Sequence, residues 1–461
     1  MGDPTENTQD LHVFLDRYLD ERPDDVFIVE EPVDPDQDIT AIVGGLWDRD
    51  RSPMVLCRSV IGLDAPVLTN VFASRSRIAR ILGTEPGSLR SAFLAGVRDR
   101  VEPAVIESGP VLDQVTAEGL DLRELPMLRH FEQDAAPYLT SAIILAEDPA
   151  TGTGNLSYHR CMVDSPTSLA TSLHSRGHLW RHLAVAQDRG QPLPVAVIVG
   201  GHPLFMLAAA ARVGMEIDER TIAGGLFGRA LELVRTPRYG LGVPATSDFV
   251  LEGVIDPNRW GAEGPFGEYS GYASARSTNN VIEIQTILRR RDALLLDVVS
   301  GRAADHLNLG RIPREAELES RIRERFPEVT SIEYPVSGTH FHCYVALRAG
   351  GPPGQARQVL LSVLGLDPYV KLAVVVDDDI DLGREEEVLW AIATRFQADR
   401  DLIAVPGLPG SVLDPSTDEG RTARMGLDAT RAPRFQGVRT TVADQAVRRA
   451  QVILHRASGP G

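Results

Sequence analysis

Glu263-Gly264-Pro265-Phe266-Gly267-Glu268 sets two carboxylates on either side of a Gly-Pro-Phe-Gly bend, and Tyr269-Ser270-Gly271-Tyr272 follows it. Proline fixes φ and removes a donor, and glycine admits backbone angles closed to other residues, so this segment continues neither a helix nor a regular strand. A shaped loop can hold two acids in different surroundings. Different surroundings separate two carboxyl groups into different protonation roles, the basis of acid–base division of labour. Taken alone, the same residues also make a solvated surface turn, the commoner fate of such a segment.

Four other groups of residues have types and spacings that can do chemistry. The tight turn Thr151-Gly152-Thr153-Gly154 leads into Asn155-Leu156-Ser157-Tyr158-His159-Arg160. In extended chain, side chains alternate, so Asn155, Ser157 and His159 face one way and Tyr158 and Arg160 the other. Asn155 supplies a neutral oxygen or amide donor, and Arg160 a permanent cation able to grip a carboxylate; an ordinary polar strand has the same pattern. His178 lies between His174 and His182 at i, i+4 spacing, which suits a metal, although Arg176, Arg181 and Arg189 make this helix cationic, and a solvated or structural role is the commoner one for such histidines. Glu219, in Asp218-Glu219-Arg220-Thr221, sits where a helix begins, a position acids also occupy as caps. The small-residue run Ala208 to Ala211, which contains Ala209 and Ala210, lets a large cofactor approach the backbone. Asp377-Asp378-Asp379-Ile380-Asp381 ends a strand and reads as either a divalent-ion site or, more simply, a cap.

These residues need large, stable elements to position them. The chain has 461 residues, 43% of them hydrophobic, enough for two or three domains. A net charge of −17 and pI near 5.1 argue against nucleic acid and anionic membrane surfaces as partners. The longest apolar runs, such as Val195 to Val199 and Leu372 to Val376, are strand-sized rather than membrane-spanning. The acidic N-terminus is no signal peptide, and Cys57, Cys161 and Cys343 form no zinc motif and suit a reducing, cytoplasmic setting.

Periodicity predicts helices at Gln9–Leu19, Arg75–Leu82 and Leu89–Val97, then a turn-rich boundary near residues 100–112. Short strands follow at Ser141–Ala146, Val195–Val199, Phe249–Ile255, Val281–Leu288 and Ala293–Val299, with helices near Ser172–Arg189 and Glu219–Gly225. This pattern resembles a barrel-like β domain. A charged helix over Pro313–Phe326 then leads to strand Tyr344–Leu347, helix Gly354–Leu364, strand Leu372–Val376 and helix Arg384–Thr394. That alternation is an α/β domain. A last helix, Ala443–Arg456, forms a tail. The expected division is 1–110, 111–312 and 313–461.

In order along the chain, the motifs resemble the UbiD-type family of reversible decarboxylases, which use prenylated FMN. They are Asn155…Arg160, His178, Glu219 with Ala223-Gly224, Val243-Pro244-Ala245 leading to Glu252-Gly253, and Glu263 to Glu268. Beyond these come Lys371 before Val374-Val375-Val376-Asp377, Trp390-Ala391-Ile392 with Thr394-Arg395, and Gly410-Ser411 with Leu413-Asp414-Pro415-Ser416. The likeness runs over about residues 25–440.

The resemblance implies an α+β multidomain fold: an N-terminal α/β domain, a central split β-barrel of flavin-reductase type for cofactor and metal, and a C-terminal α/β domain reached by a linking helix. It implies Asn155, His178 and Glu219 as ligands of Mn²⁺ or Mg²⁺ bridging to the cofactor phosphate, with K⁺ nearby. It places Ser157, Tyr158, His159, Arg160, Gly177, Ala209, Ala210 and Lys371 against the cofactor. Arg160, Glu263 and Glu268 become the catalytic set. In such an enzyme CO₂ leaves an sp² carbon of an aromatic, heteroaromatic or α,β-unsaturated acid, through a covalent adduct with the cofactor, and Glu268 supplies the replacing proton. Homodimers or larger homo-oligomers, and a flavin prenyltransferase as cofactor supplier, follow from the same resemblance. Gly177 stands where several relatives carry Gln, and His159 where some carry a small residue; both changes bear on substrate identity. Leu309 is expected on the pocket wall.

Two other readings remain at this stage. A two-carboxylate hydrolase of glycosidase type uses Glu263 and Glu268 but leaves Asn155, His178, Glu219 and Arg160 idle, and 6% aromatic content is low for a sugar site. A catalytically inactive flavin-phosphate-binding scaffold has no use for an intact Arg160, Glu263 and Glu268.

Overall fold

Apolar residues in the middle of the chain fall on strands that bury both faces, and these strands build the largest sheet. The computed structural model describes residues 8–173, 177–274, 279–418, 420–432 and 434–457. The sheet runs Tyr138–Leu139, Cys161–Ser165, Ser168–Thr171, Asn280–Arg289, Phe249–Trp260, Leu193–Val199, Ala142–Glu147, Gly154–Tyr158. Gln114–Thr116 pairs beside Asn280–Arg289. The pairing is antiparallel throughout. Successive residues of Leu193–Val199 point into different cores: Ala196 and Ile198 into one, Val195, Val197 and Val199 into the other. Among the described residues this sheet is an open path from Tyr138–Leu139 to Gly154–Tyr158, and it does not close into a barrel. Its curvature enters at register shifts between Glu252 and Gly253 and between Ile255 and Trp260.

The smaller N-terminal sheet pairs Val26–Val29 with Met54–Cys57, then Val67–Thr69, then Leu295–Leu296. The last strand lies within the run Ala293–Val299 expected for the middle of the chain. It is shorter than expected, and it serves the N-terminal sheet by pairing in parallel with Val67–Thr69. A strand that leaves the large sheet in this way fastens the two units together. The tie continues at Asp305, whose carboxylate accepts the N–H groups of Asn70, Phe72 and Val299 at 3.1, 2.6 and 3.3 Å.

The linking helix is Ala304–Arg323 and not Pro313–Phe326. Pro313 lies inside it, where its missing N–H leaves the Leu309 carbonyl without that intrahelical partner. The buried residues Ala304, Leu307, Leu309 and Ile312 carry the helix through its first turns despite the proline. Beyond it a five-stranded sheet runs Val329–Glu333, His342–Leu347, Leu372–Asp377, Arg421–Ala429, Leu402–Pro409, with the inner pairs parallel. Ala373 and Val375 face helix Gln355–Leu366, while Val374 and Val376 face helix Glu385–Arg395. This is the alternation expected of an α/β layer with both faces covered. The tail helix, Asp444–Ala457, forms as expected. No helix among the described residues is long and apolar enough to cross a membrane.

Helix Leu89–Arg98 meets helix Glu219–Phe227 through glycines. A Cβ at Gly225 would strike the Gly96 carbonyl, so the two backbones touch with nothing between them. We therefore expect Gly225→Ala to destabilise the fold by about 1–3 kcal/mol through overpacking. Thermal unfolding that matched the parent protein would show that this contact is slack.

Candidate active site

Strand Gly154–Tyr158 carries one end of the site and its C-terminal extension the other. Asn155 and Ser157 share a face, as alternation requires, and the Ser157 hydroxyl donates to Asn155 Oδ1 at 3.2 Å and meets His159 Nε2 at 3.0 Å. Helix Glu219–Phe227 begins at the same place because Asp218 caps it, accepting from the Arg220 N–H at 2.8 Å. Glu219 points from that first turn to the strand. It accepts from the Leu156 N–H at 2.8 Å and from Asn155 Nδ2 at 3.2 Å. His178 opens helix His178–Asp188, with Gly177 as its N-cap, and sets Nδ1 4.0 Å from Glu219 Oε1 and 3.4 Å from Asn155 Nδ2.

Asn155, His178 and Glu219 thus converge as expected. Burial pushes the Glu219 carboxyl up to about 8, with the Leu156 N–H opposing. Burial, then Arg181, lowers His178 and keeps its imidazole neutral. A buried carboxyl that resists ionisation, a neutral imidazole and an amide that turns its oxygen to the set by a half-rotation of the side chain give an O,N,O group suited to a cation. The residues fit a hard or borderline divalent ion. His182 lies one turn further along the same helix and is buried in the core; His174 and Arg176 lie outside the described residues.

The other end is built around Arg160. Its Nη2 donates to Glu263 Oε2 at 2.7 Å and its Nε lies 2.7 Å from Glu263 Oε1. Its Nη1 donates to Glu268 Oε1 at 2.5 Å. The Phe266 ring lies under the guanidinium at 4.8 Å, and all three charged groups are buried. The short strands Phe266–Gly267 and Ala273–Ser274 pair, with Glu263 ahead of the first and Glu268 directly after it. Glu263 is also held by the Tyr138 hydroxyl at 3.2 Å.

A cavity of about 310 Å³ lies against this triad. Arg160, His159, Phe266 and Glu268 line it on one side, and Tyr158, Ala210 and Leu309 elsewhere. Two of its walls, His306 and His340, are held neutral chiefly by burial. Ser300 lines both this cavity and a larger one of about 1110 Å³ between the N-terminal and C-terminal sheets. Ala209 lies just behind Ala210, in the last turn of helix Pro203–Ala209. Lys371 is elsewhere: its Nζ is 2.6 Å from Asp414 and 2.7 Å from Ser416, and it does not line the cavity. The acidic run is spent on arginines, with Asp377 on Arg395 and Arg431 and Asp379 on Arg395. Tyr138, Thr140, His306 and His340 were not singled out in the sequence, because no spacing sets them apart.

The chain belongs to the UbiD family of carboxy-lyases. It matches the 3-octaprenyl-4-hydroxybenzoate carboxy-lyase N-terminal domain over residues 18–94, the Rift-related domain over 104–303 and the C-terminal domain over 307–429. It is 31% identical to the anhydromevalonate phosphate decarboxylase of Methanothermobacter thermautotrophicus, over 91% of this chain and 98% of that protein. It is 33% identical to the enzyme of that name from Aeropyrum pernix, over 82% and 85%. In structure it is similar to the UbiD-class enzyme HmfF from Pelotomaculum thermopropionicum in complex with FMN. The TM-score is 0.88 at 31% identity, covering 94% of this chain and 97% of that one.

The raised Glu219 carboxyl has a consequence for stability. A group whose folded-state value lies above its unfolded value stabilises at low pH and loses that contribution as pH rises toward about 8. Protein stripped of divalent ions should therefore melt lower at pH 8 than at pH 6, and added Mn²⁺ should raise the melting temperature more at pH 8. Glu219→Gln should remove both effects. A metal response that survives in Glu219→Gln would place the cation elsewhere.

Proposed function

We propose that this chain is a non-oxidative, reversible decarboxylase of aromatic, heteroaromatic or α,β-unsaturated carboxylic acids, with Arg160, Glu263 and Glu268 as its catalytic set. The observation that carries the reading is a buried guanidinium shared by two acids at the wall of a cavity, with the Asn155–His178–Glu219 cluster gathered at the strand that leads to it. HmfF is known in complex with FMN and, in an evolved dimeric form, with prenylated FMN. The same cofactor is proposed here. When bound, it supplies the electron sink that loss of CO₂ from an sp² carbon demands. Asn155, His178 and Glu219 would hold Mn²⁺ or Mg²⁺ against its phosphate, with K⁺ nearby. Ser157, Tyr158, His159, Gly177, Ala209 and Ala210 would face the cofactor, and Lys371 would reach it only after exchanging Asp414. The central sheet then serves as a split barrel of flavin-reductase type.

The protein groups divide the work by charge. One guanidinium between two carboxylates leaves one excess negative charge when both are ionised, and burial makes that costly. Glu263 is gripped at two nitrogens and by Tyr138, and it orients Arg160. Glu268 faces the cavity. An arriving substrate carboxylate competes for Arg160, so Glu268 accommodates it by carrying a proton. When the bond to CO₂ breaks, its electron pair stays with the substrate carbon, and the Glu268 proton takes the place of CO₂ there. A hydrolase reading loses ground here, since both acids are committed to one guanidinium and neither is placed to attack. The enzyme would work in the cytoplasm as at least a homodimer, loaded by a flavin prenyltransferase.

Enzyme co-produced with a flavin prenyltransferase should release CO₂ from members of a panel of unsaturated and aromatic acids. Glu268→Gln should keep its bound flavin and lose at least about 10²-fold in kcat, the usual worth of a general acid. Decarboxylation retained at wild-type rate in Glu268→Gln would remove Glu268 from the acid role.

A further inference from the structure

The loop that bears Glu263 and Glu268 leans on a second segment, His130 to Tyr138. Asp134 is 3% exposed, and among the described residues its carboxylate bonds main-chain groups: Oδ2 accepts the N–H of His130 at 3.2 Å and of Phe131 at 3.0 Å, and Oδ1 accepts the Gly267 N–H at 2.8 Å. The first two bonds close a turn, with the Asp134 N–H returning to the Phe131 carbonyl at 3.0 Å. The third crosses to the catalytic loop. Beside it the Ala135 N–H donates to the Pro265 carbonyl at 2.9 Å.

Gly267 is the residue between the two that face the cavity. Phe266 and Glu268 both line it, as alternation in a short strand requires, so the other side of Gly267 faces away from it. There Phe131 fills the space that a Cβ would need. One residue, Gly267, therefore joins the ring under Arg160 to Glu268, and its N–H ends on a buried carboxylate. The turn that presents Asp134 is itself anchored. His130 Nδ1 meets Thr40 Oγ1 at 2.8 Å and its Nε2 meets Asp297 Oδ1 at 3.2 Å. Asp297 in turn accepts from Thr69 at 3.0 Å and from Thr140, a cavity residue, at 2.7 Å.

We propose that Asp134 is a positioning residue for the reaction, fixing Glu268 relative to Arg160 by holding the Gly267 N–H. It touches neither substrate nor reacting atoms. Its effect is to remove the freedom of the Phe266–Glu268 segment to shift along the guanidinium, and a displacement of about 1 Å at such a place costs on the order of 10²-fold in rate. The inference rests on the decarboxylase reading for its catalytic sense, but the tether can be measured without turnover.

The test compares Asp134→Ala and Asp134→Asn with wild type in the flavin-loaded enzyme. Hydrogen–deuterium exchange of a peptide spanning residues 263–272 should rise in Asp134→Ala. Its kcat should fall about 10- to 100-fold, with KM and flavin content little changed, the signature of a lost transition-state arrangement. Asp134→Asn keeps an oxygen for the Gly267 N–H but loses the charge that strengthens the bond, so it should lie between Asp134→Ala and wild type, measurably below wild type in kcat and above it in exchange; it carries the test if Asp134→Ala does not fold. Unchanged exchange at 263–272, or a kcat equal to wild type in either folded variant, overturns the proposal. So does a parallel loss of kcat, KM and flavin binding, which marks general structural damage. Wild-type protein that holds flavin yet releases no CO₂ from any acid overturns the decarboxylase reading instead, while the exchange data still report the tether.

Discussion

A single guanidinium organises this protein's site. Arg160 is buried, and a buried charge is tolerated only with partners that satisfy it. Two carboxylates, one aromatic face and one tyrosine hydroxyl surround it and its partners. The arrangement is over-supplied with negative charge, which is why it suits chemistry. A balanced pair would be inert ballast in the core. Two acids on one cation leave room for a proton to come and go and for a third carboxylate to bid for the same nitrogens. Removing Arg160 would leave two buried carboxylates uncompensated, a loss on the order of 3–5 kcal/mol for a single broken buried pair. Fold and function therefore depend on the same contact.

The opposite end of strand Gly154–Tyr158 buries a carboxyl among neutral partners. Glu219 is desolvated and accepts two bonds from Asn155 and Leu156, yet its carboxyl is still pushed up to about 8. Neutral hydrogen bonds do not replace a counter-charge. At one end the protein supplies the cation from its own chain as arginine; at the other, Glu219 is met by a main-chain N–H and an amide, neither of which carries charge.

Much of this was legible in the sequence because it is local. The helix starts at Arg75 and Leu89 are as read, and Glu219 begins its helix as its Asp218 cap implies. Asn155, Ser157 and His159 share a face because strand alternation is a property of the backbone. What was not legible is long-range. Leu295–Leu296 pairs with a strand more than two hundred residues earlier, and no periodicity reports a partner. Pro313 signalled a helix start, since Pro favours that position, but burial of Leu307, Leu309 and Ile312 extends the helix through it. Tyr138 and His340 enter the site from positions whose neighbours look like ordinary turn and strand. Lys371 was placed by motif against the cofactor, and its observed bond to Asp414 shows that a motif fixes neighbours more firmly than it fixes reach.

The bend between the two acids explains why they are not interchangeable. Gly267 is glycine because Phe131 occupies the place of its side chain, so the loop is pressed against the His130–Tyr138 segment and not merely linked to it. Pressed there, Glu263 meets Tyr138 and two guanidinium nitrogens, while Glu268 is carried past the contact to the cavity wall. The same five-residue separation in a regular strand would put the acids on opposite faces, and in a helix it would put them on different sides of the cylinder. Neither element could direct both at one cation. A bend set against a second segment can, and it is this backbone shape that gives two chemically identical side chains unequal surroundings, one held by Tyr138 and Arg160 and the other at the cavity wall.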